Sequence, residues 1–369
     1  MKAAIFHQIG TPLSIEDISI SKPAPREVLV RTAAVGLCHS DLHFIDGGLP
    51  HPLPVVLGHE ASGIVEAVGS EVRNVKPGDH VVTCISAFCG HCEHCVTGRL
   101  SLCISPETKR QPDEEPRLSY RRPAAPAGLP LPQFFNLSAF AEQMLVHENA
   151  LVAIRRDMPF DRAALLGCAV TTGTGAVFNT AKVRPGQTVA VIGCGGVGLA
   201  AINGAALAGA SRIIAIDLHQ SKLDLARAFG ATDVVNPAEG DPVQQVLELT
   251  GGGVHFSFEC IGLTQTAEQA FGMLRRGGSA TLIGVIKPGS KLQIDAYSLL
   301  HERRIQGSYM GSNRFPVDLP NLADFYMQGR LKLDEMISER IRLDQINEGF
   351  DALRAGKTAR SVIVFDDFR

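Results

Sequence analysis

Up to about residue 150, short apolar runs alternate with turn residues. Val28–Val35, Ala61–Val68 and Asp79–Thr83 are of strand length, and Pro23, Pro25, Gly69, Pro77 and Gly78 punctuate them. That pattern predicts a β-rich region of short strands. From about Thr171 the rhythm changes. Apolar five-residue runs now alternate with helical stretches: Thr188–Ile192, Val197–Leu207, Arg212–Ile216 and Lys222–Phe229, then the runs Val254–Phe258 and Ala280–Gly284. Strands this apolar suit a parallel sheet covered by helices on both faces. The carboxyl-terminal stretch reads as a helix, Ile346–Arg354, and a closing strand, Ser361–Phe365. The fold class expected is α/β: a doubly wound parallel sheet joined to a β-rich domain.

One tract fits neither pattern. Between about Ser105 and Pro132 the chain carries Pro106, Pro112, Pro116, Pro123, Pro126, Pro130 and Pro132. Proline lacks the backbone N–H and has a fixed φ, so it excludes regular helix and central strand. The tract reads as a solvated loop or as a cover over a substrate entrance.

Composition narrows the function classes. Of 369 residues, 45% are hydrophobic and 20% charged, an ordinary soluble globular mix. A net charge of -3, an aromatic content of 6% and no tryptophan give neither a basic footprint nor a stacking platform for nucleic acid. No apolar run is long enough to cross a bilayer, and the start, Met1–His7, is not a secretory signal. A cytoplasmic, reducing location is therefore expected, with no membrane partner. In such a compartment clustered cysteines act as metal ligands more readily than as disulfides.

Nine cysteines are present, and four of them have ligand spacing: Cys89, Cys92, Cys95 and Cys103. Short loops carrying Cys-x-x-Cys place several thiolates on one zinc, and four thiolates close a tetrahedron without leaving room for water. A structural zinc lobe is expected over about 84–104.

The segment Gly193-Cys-Gly-Gly-Val-Gly198 fits G-x-G-x-x-G between a predicted strand and a predicted helix, and a second strand ends in Asp217. Gly193 permits the tight turn, Gly195 lets backbone approach a pyrophosphate, and Gly198 lets helix pack on sheet. With Gly196 and Val197 they open a helix whose free N–H groups favour a diphosphate. Asp217 is expected to accept hydrogen bonds from the adenosine ribose, which favours NAD over NADP. Lys222 is placed to reach the ribose from the side.

Cys38, His59 with Glu60, and Cys168 lie too far apart for spacing to join them. Gly58-His-Glu60, the cysteine lobe, Gly193–Gly198 and Asp217 together resemble the zinc-dependent medium-chain alcohol dehydrogenases. The likeness covers essentially the whole chain, including Gly252–Gly262 and Ile346–Phe350. It implies a GroES-like catalytic domain over 1–169 and 313–369 and a Rossmann domain over 170–312. It also implies NAD and two zinc ions per chain. Cys38, His59 and Cys168 would hold the catalytic zinc, and the four lobe cysteines the structural one. Glu60 resembles the acid beside the metal, and Asp41 the acid that takes the second imidazole N–H of His59.

Ser40 resembles the hydroxyl that bonds the substrate oxygen, with His43 the relay base beyond the nicotinamide ribose. His39 stands where many relatives carry a diphosphate-binding arginine, and unlike arginine it loses its charge near neutrality. Arg360 resembles a second residue near the diphosphate. Leu49, Ile85, Phe134, Phe135 and Leu300 match pocket-lining positions, all apolar, which suggests a hydrophobic or aryl primary alcohol or its aldehyde. A thiol-dependent formaldehyde dehydrogenase is the alternative within the family, with Arg117, Arg121 and Arg122 as its candidate carboxylate holders, although these are expected to face solvent. A dinucleotide-binding zinc protein without turnover would be marked by loss of Cys38, His59 or Cys168, and all three are present. The resemblance further suggests a homodimer joined along Ala280–Ile286 and Tyr297–Met310. Cys84, Cys194 and Cys260 are expected to be packing residues.

Overall fold

A computed structural model describes residues 1–111, 113–120, 129–356 and 358–368. It divides into two compact units. The first comprises Met1–Cys168, Arg314–Gln328 and Leu333–Arg369, and the second Ala169–Asn313 and Gly329–Lys332.

Two sheets build the first unit. Glu27–Gly36 is the longest strand and lies centrally in the larger sheet, with Glu60–Val68 and Arg360–Val364 antiparallel on either side. Nearly every residue of Glu27–Gly36 is buried, Glu27 and Thr32 included, so both faces of the strand are covered. Its last residues lead directly into Leu37 and Cys38. The smaller sheet pairs Lys2–Phe6 with Ser14–Ile20 and Val55–Val56. Ser14–Ile20 also pairs with Leu118–Tyr120, which in turn pairs with Pro130–Leu131. The proline tract thus contributes two short strands on the outer side of a sheet, where a missing N–H breaks no central ladder. Phe6, Phe134, Phe140, Leu37 and Leu57 are fully buried in the core of this unit.

The second unit is a six-stranded parallel sheet. Its order runs Asp233–Val235, Arg212–Ile216, Thr188–Ile192, Val254–Glu259, Leu274–Leu282, Arg304–Gly307. The first strand in sequence, Thr188–Ile192, sits in the middle, and the chain winds outward from it in both directions. That reversal places a crevice at the carboxyl ends of the central strands, the usual dinucleotide position in doubly wound sheets. Ala190, Ile192, Ile214, Ile216 and Ala280 are each at most 2% exposed, so these strands are apolar along their length. Strands that escaped the sequence reading include Asp233–Val235 and Ile337–Ile341, whereas Arg304–Gly307 falls within the edge stretch expected over Tyr297–Met310. The two edge strands of the six-stranded sheet, Asp233–Val235 and Arg304–Gly307, are short and half-exposed, so their hydrophobic signal is diluted.

Candidate metal and dinucleotide sites

Cys38 caps the helix His39–Ile45, which starts as soon as the long central strand ends. Asp41, three residues into that helix, is fully buried and accepts the Cys38 N–H at 3.2 Å. Its other oxygen accepts the Gly58 N–H at 3.1 Å and the His59 Nδ1–H at 3.0 Å. One carboxylate therefore fixes the helix start, the loop before His59 and the imidazole tautomer. Nε2 of His59 is left as the ligand atom, 3.3 Å from Cys168 Sγ. Gly58 has φ +92°, and a Cβ there would come within 2.6 Å of the Phe140 nitrogen, so only glycine fits before His59.

The ligand atoms of Cys38, His59 and Cys168 all lie within 4.8 Å of one another, and all three residues are buried. Zinc distances of about 2.3 Å to sulfur and 2.0 Å to nitrogen place tetrahedral N and S ligands about 3.5 Å apart, so the observed 3.3 Å fits. The Cys₂His donor set leaves one coordination position for a further oxygen. The proton bonded between the sulfurs, together with Arg360 and His59, holds the Cys38 thiol well below its usual value despite burial. The same bond, reinforced by burial, pushes Cys168 well above it. Burial disfavours charge on His59, yet Asp41 outweighs it and holds the imidazole well above its usual value.

Glu60 and Arg360 complete the surroundings, 0% and 2% exposed. Arg360 Nε lies 3.6 Å from Glu60 Oε2, and Arg360 Nη2 lies 3.8 Å from Cys38 Sγ. Arg360, expected at a diphosphate, is thus buried beside Cys38 and Glu60. Ser40 is half-buried, with Oγ 3.6 Å from Cys38 Sγ. His43 is one helical turn further on the same side, and His39 is exposed in the first turn.

Phe134 and Phe135 stand edge-on to His59, with ring centroids at 5.9 and 5.6 Å. Phe135 is half-buried, while Phe134 is fully buried behind it. Leu49 and Ile85 pack against the same core. Leu300 belongs to the second unit, in the turn Ala296–His301, and is 75% exposed. Phe44 was not anticipated. It packs on Phe134 at 4.8 Å and on Phe135 at 5.9 Å. Its position four residues after Ser40 was the available signal.

In the lobe, neighbouring sulfurs are 3.5 Å apart for Cys92 and Cys95 and 3.9 Å for Cys89–Cys95 and Cys92–Cys103. A tetrahedron with Zn–S near 2.3 Å sets S···S at about 3.8 Å. The four cysteines fit one ion. Backbone N–H groups of His91 and Cys92 lower Cys89 to about 6, while burial pushes Cys95 up to about 12. Four thiolates this close need a cation to coexist.

The expected solvent exposure of Arg117 is corrected. It is 5% exposed, with Nε on Glu27 Oε1 at 2.6 Å, Nη1 on Gln133 at 2.8 Å and Nη2 on the Thr108 carbonyl at 3.2 Å. Sequence reasoning missed the acidic partner because it lies 90 positions upstream. Arg121 and Arg122 fall outside the described residues.

In the second unit, Asp217 Oδ2 accepts the Cys194 N–H at 2.8 Å and Oδ1 the His219 N–H at 3.0 Å. The acid that ends the second strand thereby shapes the glycine turn. A Cβ on Gly198 would lie 1.7 Å from the Gly193 carbonyl oxygen, so the helix Gly196–Leu207 approaches the turn only because residue 198 is glycine. Nothing lies within 4 Å of a Cβ built on Gly195. That clear space, with Gly196 and Val197 at the helix start, fits a diphosphate at the N-terminus. Lys222 is half-buried in the helix Gln220–Ala228. Cys84 and Cys194 are buried and Cys260 half-buried.

Comparison with known proteins agrees with this geometry. The alcohol dehydrogenase GroES-like domain matches residues 24–156, and the zinc-binding dehydrogenase domain residues 196–326. An S-(hydroxymethyl)glutathione dehydrogenase of Photobacterium damsela subsp. piscicida is 41% identical, covering 98% of this chain and 99% of its own length. The chain belongs to the zinc-dependent alcohol dehydrogenase family. Among solved structures of the family, an alcohol dehydrogenase zinc-binding domain protein from Burkholderia ambifaria superposes with a TM-score of 0.93 at 37% identity, covering 98% of each chain. The benzyl alcohol dehydrogenase of Acinetobacter calcoaceticus follows with 0.90 at 35% identity and 99% of each chain. The protein is an oxidoreductase of the alcohol dehydrogenase type.

Proposed function

We propose that this oxidoreductase interconverts a hydrophobic or aryl primary alcohol and its aldehyde with NAD, using one catalytic and one structural zinc per chain. The observation that carries the reading is the convergence of Cys38, His59 and Cys168 on one buried point, with Asp41 dictating the tautomer of His59. When bound there, zinc supplies Lewis acidity toward the substrate oxygen, and NAD supplies the hydride acceptor. The chain's own residues do the rest. Ser40, beside Cys38, accepts the proton of the substrate hydroxyl. His43, a turn further along the same helix, is its outlet toward solvent. Glu60 and Arg360 balance charge beside the thiolates. Asp217 selects NAD, because a carboxylate repels a 2′-phosphate.

Phe135, half-buried and backed by the buried rings of Phe44 and Phe134, favours an aryl substrate, since ring edges and faces pair well. The relative acting on S-(hydroxymethyl)glutathione motivates a second reading, but that substrate class carries carboxylates that need cationic partners. Arg117 does not fit that role, because its three donor nitrogens are committed inside the fold. Two further proposals concern setting. A homodimer through Ala280–Ile286 and Tyr297–Met310 is supported by the edge strand Arg304–Gly307 and by exposed Val285, Tyr297, Leu299 and Tyr309 nearby in sequence. A reducing, cytoplasmic location is supported by nine cysteines without a disulfide.

The deciding experiment is a panel of benzyl alcohol, octanol and S-hydroxymethyl thiol adducts with NAD and NADP, with zinc counted per chain. Benzyl alcohol with NAD should give the highest kcat/KM, at about two zinc ions per chain. A preference for the thiol adduct would overturn the aryl reading, and zinc-replete protein without turnover would overturn the enzymatic one.

A further inference from the structure

The proline-bearing tract is pinned from inside, and its anchor reaches the aromatic wall beside His59. Glu27 is 3% exposed at the start of the strand that ends next to Cys38. It receives Arg110 Nη2 and Arg117 Nε, each at 2.6 Å. Arg117 Nη1 passes on to Gln133 Oε1 at 2.8 Å, and Gln133 Nε2 donates to the Leu145 carbonyl at 3.1 Å. Gln133 immediately precedes the two phenylalanines.

The turn that follows is strained. Phe135, Asn136 and Ser138 have φ of +50°, +60° and +57°, three non-glycine residues in the left-handed region within four positions. Such residues persist only where their surroundings over-determine them, and they gather at ligand clamps and switches. Several contacts do that here. The Phe134 N–H donates to Ser138 Oγ at 2.9 Å, and the Leu137 N–H donates to the Phe134 carbonyl at 2.9 Å. The Ala139 N–H donates to the Gly58 carbonyl at 2.9 Å, which ties the turn to the residue before His59. Those bonds lie within and after the turn. Entry to it is set by Gln133, and the side chain of Gln133 is held by Arg117.

We infer that Arg117 and Gln133 are positioning residues for substrate selection. The relay Glu27–Arg117–Gln133 fixes the strained turn from Phe134 to Ser138 and so sets the aromatic face that Phe135 presents beside His59. The fork of the guanidinium is needed: Nε holds Glu27 while Nη1 aims at Gln133, a geometry that lysine, as a point charge, does not reproduce. The inference rests on the aryl alcohol reading above for the nature of the ligand, and the test separates the two.

The test uses the full-length, zinc-loaded protein and its Arg117→Lys, Gln133→Leu and Gln133→Glu variants. Binding of 4-fluorobenzyl alcohol is measured by fluorine NMR titration, and the ratio of kcat/KM for benzyl alcohol to that for ethanol is measured separately. Arg117→Lys and Gln133→Leu should weaken binding and lower the ratio about tenfold, the scale on which an apolar pocket discriminates. Gln133→Glu keeps the acceptor for Arg117 but loses the N–H that Gln133 gives the Leu145 carbonyl, so its loss should fall clearly short of that in Gln133→Leu without vanishing. Lower melting temperatures with parent-like affinity and ratio would make the relay merely structural and overturn the inference. Equal losses in Gln133→Leu and Gln133→Glu would also overturn it. Gln133→Leu leaves the Glu27–Arg117 pair in place, so the inference stands or falls on it if Arg117→Lys does not fold. No saturable binding to the parent would overturn the inference at its root. Affinities that shift as expected without NAD reduction would uphold the relay and overturn the dehydrogenase reading.

Discussion

The two cysteine clusters of the first unit collect their ligands in opposite ways. Cys89 and Cys103 are 14 positions apart, and the lobe's remaining ligands lie between them. His59 and Cys168 are 109 positions apart, and Cys38 comes from a third segment. Their neighbours differ as much as their spacing. Around the lobe sulfurs stand backbone N–H groups and other thiols. Around the second cluster stand Asp41, Glu60 and Arg360, charged and at most 2% exposed. Burying three charges is expensive unless they are paired and hydrogen-bonded. A cluster that merely ties a loop has no use for them. One that must hold a tautomer and balance a changing charge does, and perturbed buried groups concentrate at such places.

The comparison breaks most visibly at a ligand. Cys168→Ser should lower kcat/KM for benzyl alcohol at least ~1000-fold, since the ion proposed to polarise the substrate would be lost. Zinc content should fall by about one per chain, with the melting temperature moving by only about 2 °C. Cys95→Ser should reverse that balance. It also removes about one zinc, yet it lowers the melting temperature by about 5–10 °C and opens the lobe to proteases, because a structural site contributes folding energy. Activity of the folded fraction should fall less than about tenfold. If the two variants behave alike, in either direction, the division of labour drawn here is wrong.

How much of this the sequence revealed follows the same divide. The lobe could be read from spacing, because its chemistry is local. The glycine turn and Asp217 could be read because a strand, a turn and a helix follow in order within one doubly wound unit. The triad Cys38, His59 and Cys168 became visible only through family resemblance, since tertiary folding alone unites those segments. Asp41 came with it. The buried pairing of Glu27 with Arg110 and Arg117 was not legible at all. Arg117 reads as a surface residue, and only its pairing with Glu27 at the start of the strand Glu27–Gly36 turns it inward. Arg360 illustrates the same limit: the resemblance set it near a diphosphate, and its burial against Glu60 was not legible.

A finer test separates ligand from ligand holder. Asp41→Asn keeps the volume and one acceptor but loses the charge that selects the Nδ1–H tautomer of His59. Activity or zinc affinity should drop about 10–100-fold, the usual effect of altering a group that orients a metal ligand. The lobe, whose sulfurs are met by backbone N–H groups and other thiols, should retain its zinc. Loss of both ions in Asp41→Asn would show that the two clusters are coupled through the fold rather than independent.

The smallest effect concerns acid. Both clusters should lose zinc as pH falls, because thiolates must be protonated when the metal leaves. That loss is readable only after a metal-independent term is removed, and His147 supplies one. It is 4% exposed, and its Nδ1 accepts the Asn149 N–H at 3.0 Å, so the ring is held neutral. Burial, helped by the charge of Arg26, lowers its pKa from 6.5 to about 4. A histidine depressed in this way binds its proton more readily in the unfolded chain. Its contribution is therefore fully present above pH 6.5 and is lost as pH falls from 6.5 through about 4, amounting to about 3 kcal/mol at most. His147→Gln offers Asn149 an amide oxygen in place of the ring nitrogen and does not titrate. Chemical denaturation of the metal-free variant between pH 7 and 4 should show stability falling less steeply than in the parent, by up to that amount. An unchanged slope would remove His147 from the acid response and leave the carboxylates to account for it. With the histidine term subtracted, the remaining difference between zinc-loaded and metal-free protein reports the clusters alone, and the lobe variant Cys95→Ser then divides that difference between them.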